Sequence, residues 1–120
     1  MSTSPTSLTL ARLRKVGWTA AVVEKWKPVM RNGKLEPYGV RVDLFGVIDI
    51  IAIYHGFTLG VQATSAANHA ARVKKAAASP LLAKWLEGES RDFEVWSWKK
   101  PKHRWVLRTE GVAAAGGGGK

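Results

Sequence analysis

The 120-residue chain contains no cysteine, and this absence excludes several kinds of protein and of site. Without thiols there is no disulfide framework, no zinc–thiolate centre and no thiol nucleophile, so a metal ion must be bound by oxygen or imidazole ligands. The chain also has no apolar run near twenty residues, and its first fifteen residues lack the apolar segment of a secretory signal. We therefore expect a soluble, cytoplasmic protein that does not bind a membrane.

Acidic residues are scarce as well, because nine Asp and Glu stand against nineteen Lys and Arg and give a net charge of +10. With 46% apolar residues the chain is expected to fold, and folded basic domains commonly bind polyanions. Charge alone does not choose among DNA, RNA and anionic lipid. The length suits one core, so residues 1–110 are expected to form a single domain and the Ala/Gly-rich residues 111–120 a flexible tail.

Capping residues, hydrophobic periodicity and turn signals predict an α/β fold with the element order αβββαββ. The predicted elements are a helix ending at Gly17, strands over 18–26, 40–53 and 57–64, a helix over 66–87 interrupted at Ser79-Pro80, and strands over 93–98 and 104–107. Residues 27–38 contain two prolines and Asn32-Gly33, which indicates a loop or a loose hairpin. We expect a central mixed sheet of about five strands flanked by helices.

An aspartate lies in the most apolar run of the chain, residues 40–53. If residues 55–56 form a two-residue turn, Asp49 lies directly opposite Gln62 in an antiparallel hairpin. Thr64 then shares their face, because side chains alternate along a strand. The sequence therefore predicts a polar group on one face of a strongly apolar hairpin.

Asp43 has the same parity as Asp49 and joins that face unless Gly46 hosts a bulge that shifts the register by one residue. A buried aspartate costs several kcal/mol unless it is paired, protonated or bound to a cation. Backbone N–H groups or Arg41 could pair with Asp49, and Gln62 could be an ordinary polar residue of a strand. A divalent metal ion is the simplest explanation for both aspartates.

Two segments, GVIDIIAI at residues 46–53 and LGVQATS at residues 59–65, resemble the core motif of the PD-(D/E)XK nuclease superfamily. The arrangement is most similar to the Holliday junction resolvase-like branch, in which a G-x-x-D strand leads to a strand that ends in E-x-K-S. The element order is similar over residues 7–109. This resemblance implies a restriction-endonuclease-like fold.

The resemblance also implies a role for each motif position. Asp49 matches the motif aspartate, Gln62 the second acid and Thr64 the catalytic lysine, so the chain carries a Q-x-T variant of the E-x-K motif. Glutamine still offers an oxygen to a metal, whereas threonine removes the cation that activates water or stabilises the phosphorane. The missing positive charge is expected from elsewhere, and the candidates are Lys25, Arg72, Lys74 and Lys75.

The implied activity is hydrolysis of DNA phosphodiester bonds with Mg²⁺, for which Mn²⁺ can substitute. The expected metal ligands are Asp49, Gln62 and Asp43, and Glu24 on the adjacent strand is a further candidate for the catalytic centre. Glu24 could instead pair with Lys25 or Lys27 at the surface. One such domain has one metal site, so cutting both strands of a junction requires a homodimer.

Basic residues cluster on the second predicted helix and in the last predicted loop. The candidate nucleic-acid-binding residues are Arg72, Lys74, Lys75, Lys99, Lys100, Lys102 and Arg104. Such clusters also occur as the solvated face of a helix or turn. Two alternatives to the nuclease remain: a nuclease-like fold that only binds nucleic acid as an accessory or architectural factor, and a basic RNA- or ribosome-associated protein.

Overall fold

A computed structural model describes residues 3–113. Within this range the chain forms three α-helices, one 3₁₀ turn at Ala66–Asn68 and seven strands. In order they are α1 (Pro5–Lys15), β1 (Thr19–Val22), β2 (Lys25–Arg31), β3 (Lys34–Val42), β4 (Ile50–Tyr54), β5 (Phe57–Ser65), α2 (His69–Ala77), α3 (Pro80–Trp85), β6 (Arg91–Lys99) and β7 (Val106–Gly111).

Five of the strands form one mixed sheet in the order β1-β4-β5-β6-β7, in which β5 and β6 are parallel and the other neighbours are antiparallel. This confirms the α/β class and the mixed five-stranded sheet. The three strands expected before the long helix are β1, β4 and β5. Between β1 and β4 the chain leaves this sheet and forms a separate two-stranded sheet from β2 and β3.

The strand predicted over residues 18–26 is wrong in its extent, because it combines parts of two sheets. β1 ends at Val22, and β2 begins at Lys25 in the separate hairpin. Val23 still donates its N–H to the Asp49 carbonyl at 2.8 Å, so the chain leaves the main sheet just after this bond. The composition of the segment favours β structure in both strands, so it does not show where one strand ends and the next begins.

The strand predicted over residues 40–53 is also wrong in its extent. β3 ends at Val42 and β4 begins at Ile50, with a tight loop between them. Within the loop Phe45 and Gly46 have φ angles of 55° and 77°, and Leu44 pairs with Ile48 in an isolated bridge. Two successive residues in the left-handed region reverse the chain, which no strand can accommodate.

Residues 27–38, expected to form a loop or a loose hairpin, belong to an antiparallel hairpin. β2 and β3 pair from Lys25 opposite Val42 to Arg31 opposite Lys34, with one irregularity between Pro28 and Met30. The two residues Asn32-Gly33 form its turn, as is common in two-residue hairpin connections.

Each face of the main sheet buries its own hydrophobic cluster. Leu13 of α1 packs with Val61 and Trp98 on one face, and Leu82 of α3 packs with Phe93 on the other. Helices therefore pack on both faces of the sheet.

The last strand extends further than expected. β7 begins at Val106 rather than at Arg104 and continues to Gly111, and Val112 packs in the core. The ordered domain thus passes the boundary expected at residue 110, while residues 114–120 of the expected tail lie outside the described part. No helix among the described residues is long and apolar enough to cross a membrane.

Candidate functional site

The candidate site lies at one edge of the five-stranded sheet, where several strand ends meet. Val22 at the end of β1 pairs with Ile50 at the start of β4, and Ile50 pairs in turn with Val61 of β5. Residues that follow β1, precede β4 or continue β5 beyond Val61 are therefore neighbours. These residues include Glu24, Asp49, Gln62 and Thr64.

The chain passes between the two sheets twice at this edge, and the first passage carries one acid while the second carries two. The first passage contains Glu24, and the second begins with Asp43 and ends with Asp49. Lys25 opposite Val42 is the last pair of the hairpin, so Glu24 and Asp43 come next to each other just beyond it. Carboxylate oxygens of Glu24, Asp43 and Asp49 all lie within 4.8 Å of one another.

Asp49 is the buried member of this acid cluster, with 3% of its surface exposed. Its Oδ2 accepts hydrogen bonds from Gln62 Nε2 and from the Ala63 N–H, both at 2.9 Å. The structure thus places Asp49 against Gln62, as the turn at residues 55–56 predicts. Two donors to one oxygen fix the orientation of the carboxyl group.

Asp43 also reaches the cluster, but not by the predicted route. Its Oδ2 lies 3.4 Å from Gln62 Nε2, and its carboxyl forms a hydrogen bond with that of Asp49. Asp43 lies in the loop after β3 rather than in a strand continuous with Asp49. Asp43 therefore does not reach Asp49 because of side-chain alternation along one strand. It reaches Asp49 because the chain reverses direction at Phe45 and Gly46.

Burial raises the pKa of Asp49 to about 8, and the hydrogen bond with Asp43 raises this pKa as well. The Ala63 N–H acts in the opposite direction, and the negative charges of Asp43 and Glu24 raise the pKa further. At neutral pH Asp49 therefore holds a proton in its contact with Asp43. A divalent cation carries more charge than that proton and can replace it.

The donor set of the acid cluster fits a hard divalent cation. Mg²⁺ binds oxygen at about 2.0–2.1 Å, so two ligands on opposite sides are about 4.2 Å apart. Adjacent ligands of an octahedral ion are about 3.0 Å apart, so the three carboxylate oxygens, which lie within 4.8 Å of one another, must move closer by up to about 2 Å to bind one ion together. Gln62 turns Nε2 toward the acids, and its amide must rotate by half a turn to offer Oε1 as a ligand.

The position of the motif lysine carries Thr64, which is buried on β5 beside Ser97 of β6. Lys25 is exposed at the start of β2 and lines a cavity of about 310 Å³ together with Asp43. Arg72 is half-buried on α2, and Lys74 and Lys75 are exposed on the same helix. Among the described side chains no Lys or Arg forms an ion pair with Asp43 or Asp49.

The loop between β6 and β7 brings its basic residues to the same edge. β5 and β6 are parallel, so the end of β6 at Lys99 lies one residue beyond the level of Ser65. The exposed Lys99, Lys100 and Lys102 occupy this end together with Arg104, which lies in the loop and not in a strand. Lys100 Nζ lies 5.3 Å from the centre of the Trp105 ring. The edge therefore combines an acid cluster with a basic loop.

Comparison of the chain with protein-family models, with curated proteins and with solved structures finds no match. The function must therefore be inferred from the edge itself. Chemically, the acids can hold a divalent cation and the basic loop can contact phosphates, which are the two needs of a centre that acts on a nucleic-acid backbone.

His69 is buried, with 2% of its surface exposed. The sequence pattern around it does not predict this burial. Its Nδ1 lies 2.6 Å from Ser97 Oγ, and its Nε2 lies 2.9 Å from Glu110 Oε1. These bonds join the start of α2 to β6 and β7. One signal was present in the sequence: Ser97 shares a strand face with the apolar Phe93 and Val95, so it needed a buried partner.

Replacing His69 with alanine is expected to lower the free energy of unfolding by about 2–4 kcal/mol, because Ser97 and Glu110 lose their shared partner and a cavity forms. The measurement is the midpoint of urea unfolding. Asn68→Ala is the matched control: among residues 3–113 this exposed side chain bonds only Ser65 Oγ, at 3.3 Å, and its loss should cost less than about 0.5 kcal/mol. Equal midpoints for the two variants would contradict a structural role for His69.

Proposed function

We propose that the protein is a cytoplasmic, metal-dependent endonuclease that hydrolyses DNA phosphodiester bonds, with Mg²⁺ or Mn²⁺ as its metal. The observation that carries this proposal is the convergence of Glu24, Asp43 and Asp49 within 4.8 Å in a chain of net charge +10. A basic protein has no need of three clustered acids to stay soluble. A phosphate backbone next to a bound cation uses both charges.

The resemblance to the Holliday junction resolvase-like branch supports a restriction-endonuclease-like fold and a branched or otherwise structured DNA substrate. One acid cluster cuts one strand, so the proposed active form on a junction is a homodimer. The basic loop after β6 and the lysines of α2 supply phosphate contacts, which position the DNA without reading its sequence.

Each side chain of the acid cluster has a separate task. Asp49 and Asp43 give up the proton between them and present oxygens, and Glu24 supplies a third oxygen. Gln62 holds Asp49 in place through Nε2 in the metal-free site, and a half-turn of its amide would exchange this hydrogen bond for a metal ligand, Oε1. A bound divalent ion lowers the pKa of a water ligand and offsets the charge of the attacked phosphate.

Lys25 is the proposed replacement for the missing motif lysine, because it lines a cavity with Asp43. Lys25→Met is expected to slow cleavage by about 10²-fold or more, since one positive charge near the reacting phosphate is lost. The measurement is the single-turnover rate at saturating protein. Lys15→Met is the matched control, because Lys15 is exposed at the end of α1, before the start of β1, whereas the acids lie beyond the other end of that strand.

The Lys25 assignment has two further checks. Adding Thr64→Lys to Lys25→Met restores a lysine at the motif position and should recover part of the rate. If Lys25→Met and Lys15→Met cleave DNA equally fast, Lys25 has no role in the chemical step.

A second candidate function, binding of nucleic acid without cleavage, is favoured by one observation. Thr64 stands at the motif lysine position, and no described Lys or Arg forms an ion pair with Asp43 or Asp49. In that case the protein acts as an accessory or architectural factor. The basic loop and α2 then keep their role, and the acids do not take part in a reaction.

Incubation with labelled duplex, four-way junction and single-stranded DNA, in Mg²⁺, Mn²⁺ or EDTA, distinguishes the two functions. The nuclease proposal expects metal-dependent products that Asp49→Ala does not form. Tight binding with no product under any metal would favour the accessory function, and displacement of DNA by RNA competitor would favour an RNA-associated protein.

A further inference from the structure

The β2–β3 hairpin stands apart from the rest of the fold. Neither hydrophobic cluster contains a residue of the hairpin, and none of its described side chains is buried. Its strands pair only with each other among the described residues. A two-stranded hairpin alone is marginally stable in water, so an exposed hairpin of this length is expected to gain stability from a binding partner.

Large apolar side chains are exposed along both faces of the hairpin. Trp26 and Leu35, which are 64% and 66% exposed, lie on one face with Met30. Tyr38 and Val40 lie on the other face. Soluble domains seldom expose so many large apolar groups in one small element unless the element is a contact surface.

The charge of the hairpin indicates the chemistry of the partner. Residues 25–42 include five basic residues and one acidic residue, Glu36. A second copy of the chain would bring the same positive charge against this surface, which opposes self-association through it. A polyanion carries the complementary charge, and exposed aromatic and aliphatic side chains can contact its bases.

The position of the hairpin connects it to the acid cluster. The residue pair at the open end of the hairpin is Lys25 and Val42, and these residues are next in the chain to Glu24 and Asp43. The cavity beside Asp43 is lined by Lys25, Trp26 and Lys27. A DNA phosphate at the acid cluster would therefore lie next to the base of the hairpin. A two-stranded β-ribbon fits the major groove of B-DNA, which is about 12 Å wide.

We propose that the β2–β3 hairpin is a DNA-binding ribbon that enters a groove of the duplex next to the acid cluster. Lys27 and Lys34 contact phosphates, and Leu35 at the tip contacts the bases. At about 3.4 Å per residue, a seven-residue strand spans about 24 Å, roughly two thirds of a turn of B-DNA. The proposal rests on DNA as the substrate of the proposed nuclease, but ribbon contacts do not require cleavage.

The absence of cysteine from the natural chain gives a direct test, because one introduced cysteine carries a label at one position. Leu35→Cys, at the tip of the hairpin, is modified with a photoactivatable cross-linker and irradiated with duplex DNA in EDTA, which prevents cleavage. Val16→Cys is the matched control: Val16 is 58% exposed, after the end of α1.

Cross-links from position 35 to DNA, in clear excess over those from position 16, are the expected result. Equal yields from the two positions would overturn the proposal. So would cross-links from position 35 to a second copy of the protein without any to DNA, because they would make the hairpin a dimer contact instead.

The salt dependence of binding gives an independent readout. In the double variant Lys27→Ala, Lys34→Ala the slope of log affinity against log salt should fall in magnitude by about 2, one for each phosphate contact. The control is Lys15→Ala, Lys84→Ala, two exposed lysines on α1 and α3, which should change the slope less. An unchanged slope in the hairpin variant would overturn the ribbon.

The failure of this proposal and that of the nuclease can be distinguished, because all the ribbon measurements are made in EDTA. Hairpin variants that bind DNA like wild type, while Asp49-dependent cleavage persists, would refute only the ribbon. Cleavage that persists in Asp49→Asn would refute only the metal centre.

Discussion

Replacing Asp49 with asparagine is expected to reduce metal-dependent DNA cleavage by roughly 10³-fold or more. The variant loses a charged ligand of the metal, and a bound metal stabilises the charge of the transition state by several kcal/mol. The fold should persist. Asparagine Oδ1 can accept the hydrogen bonds from Gln62 Nε2 and the Ala63 N–H, which now go to Oδ2 of the aspartate. Its NH₂ group can donate toward Asp43, where protonated Asp49 shares its proton.

The comparison needs cleavage rates at saturating Mg²⁺ and a test that the variant is folded, such as circular dichroism with thermal unfolding. Asp92→Asn is the matched control, because Asp92 is an exposed aspartate opposite Leu59 near the start of β5, distant from the acid cluster. The control should cleave DNA at the wild-type rate. If Asp49→Asn does the same with contaminating nucleases excluded, the acid cluster is not a metal centre for hydrolysis.

The contact between Asp49 and Gln62 could be predicted from sequence because local geometry fixes it. His55 and Gly56 have φ angles of 49° and 86°, as a two-residue hairpin turn requires, and Tyr54 then faces Phe57. Once that pair is set, the period of two along each strand determines every other pair. The alternation of Val and Ile residues shows which face carries the polar residues.

The position of Asp43 and the separate hairpin could not be predicted in this way, because both depend on where the chain leaves the main sheet. Val23 and Glu24 continue a β-rich composition, although the next strand belongs to another sheet. Phe45 is a non-glycine residue with positive φ, in a turn closed by hydrogen bonds from Val47 and Ile48 to the Leu44 carbonyl, and its residue type gives no signal for that conformation. The bond between His69 and Glu110 joins residues 41 positions apart, and no local pattern encodes it.

These non-local features are the ones that assemble the site. The two passages between the sheets bring Glu24 and Asp43 to Asp49, and the hairpin between them extends a basic, apolar surface from the same place. An insertion between two neighbouring strands of a sheet thus supplies both the additional ligands and an adjacent contact surface. The sequence motif alone would have supplied only the Asp49–Gln62 pair.

The stability of the metal-free protein is expected to fall as pH rises from about 4 to about 8, through the titration of Asp49. The pKa of this carboxyl is 3.8 in an ordinary setting and about 8 in the folded protein. Between these values the folded state binds one proton more than the unfolded state. The free energy of unfolding therefore falls with each pH unit in this range, and this loss ends above pH 8.

Asp49→Asn isolates this effect, because asparagine does not titrate. Urea unfolding of both proteins in EDTA at pH 5, 6, 7 and 8 should show the variant becoming progressively more stable relative to wild type. If the difference in the free energy of unfolding between variant and wild type stays constant over this range, Asp49 is ionised in the folded protein at every pH tested. That result would contradict the protonated Asp49–Asp43 pair.

Metal binding should reverse the loss of stability, since Mn²⁺ must displace the proton on Asp49 before it can use that oxygen. Below pH 8 the apparent affinity for Mn²⁺ is expected to rise by about tenfold per pH unit, the dependence of a ligand that binds in competition with one proton. The increase in unfolding midpoint on adding Mn²⁺ should grow from pH 6 to pH 8 in wild type and be small in Asp49→Asn at every pH. An Mn²⁺ effect of equal size in both proteins would place the metal away from Asp49, even if the protein cleaves DNA.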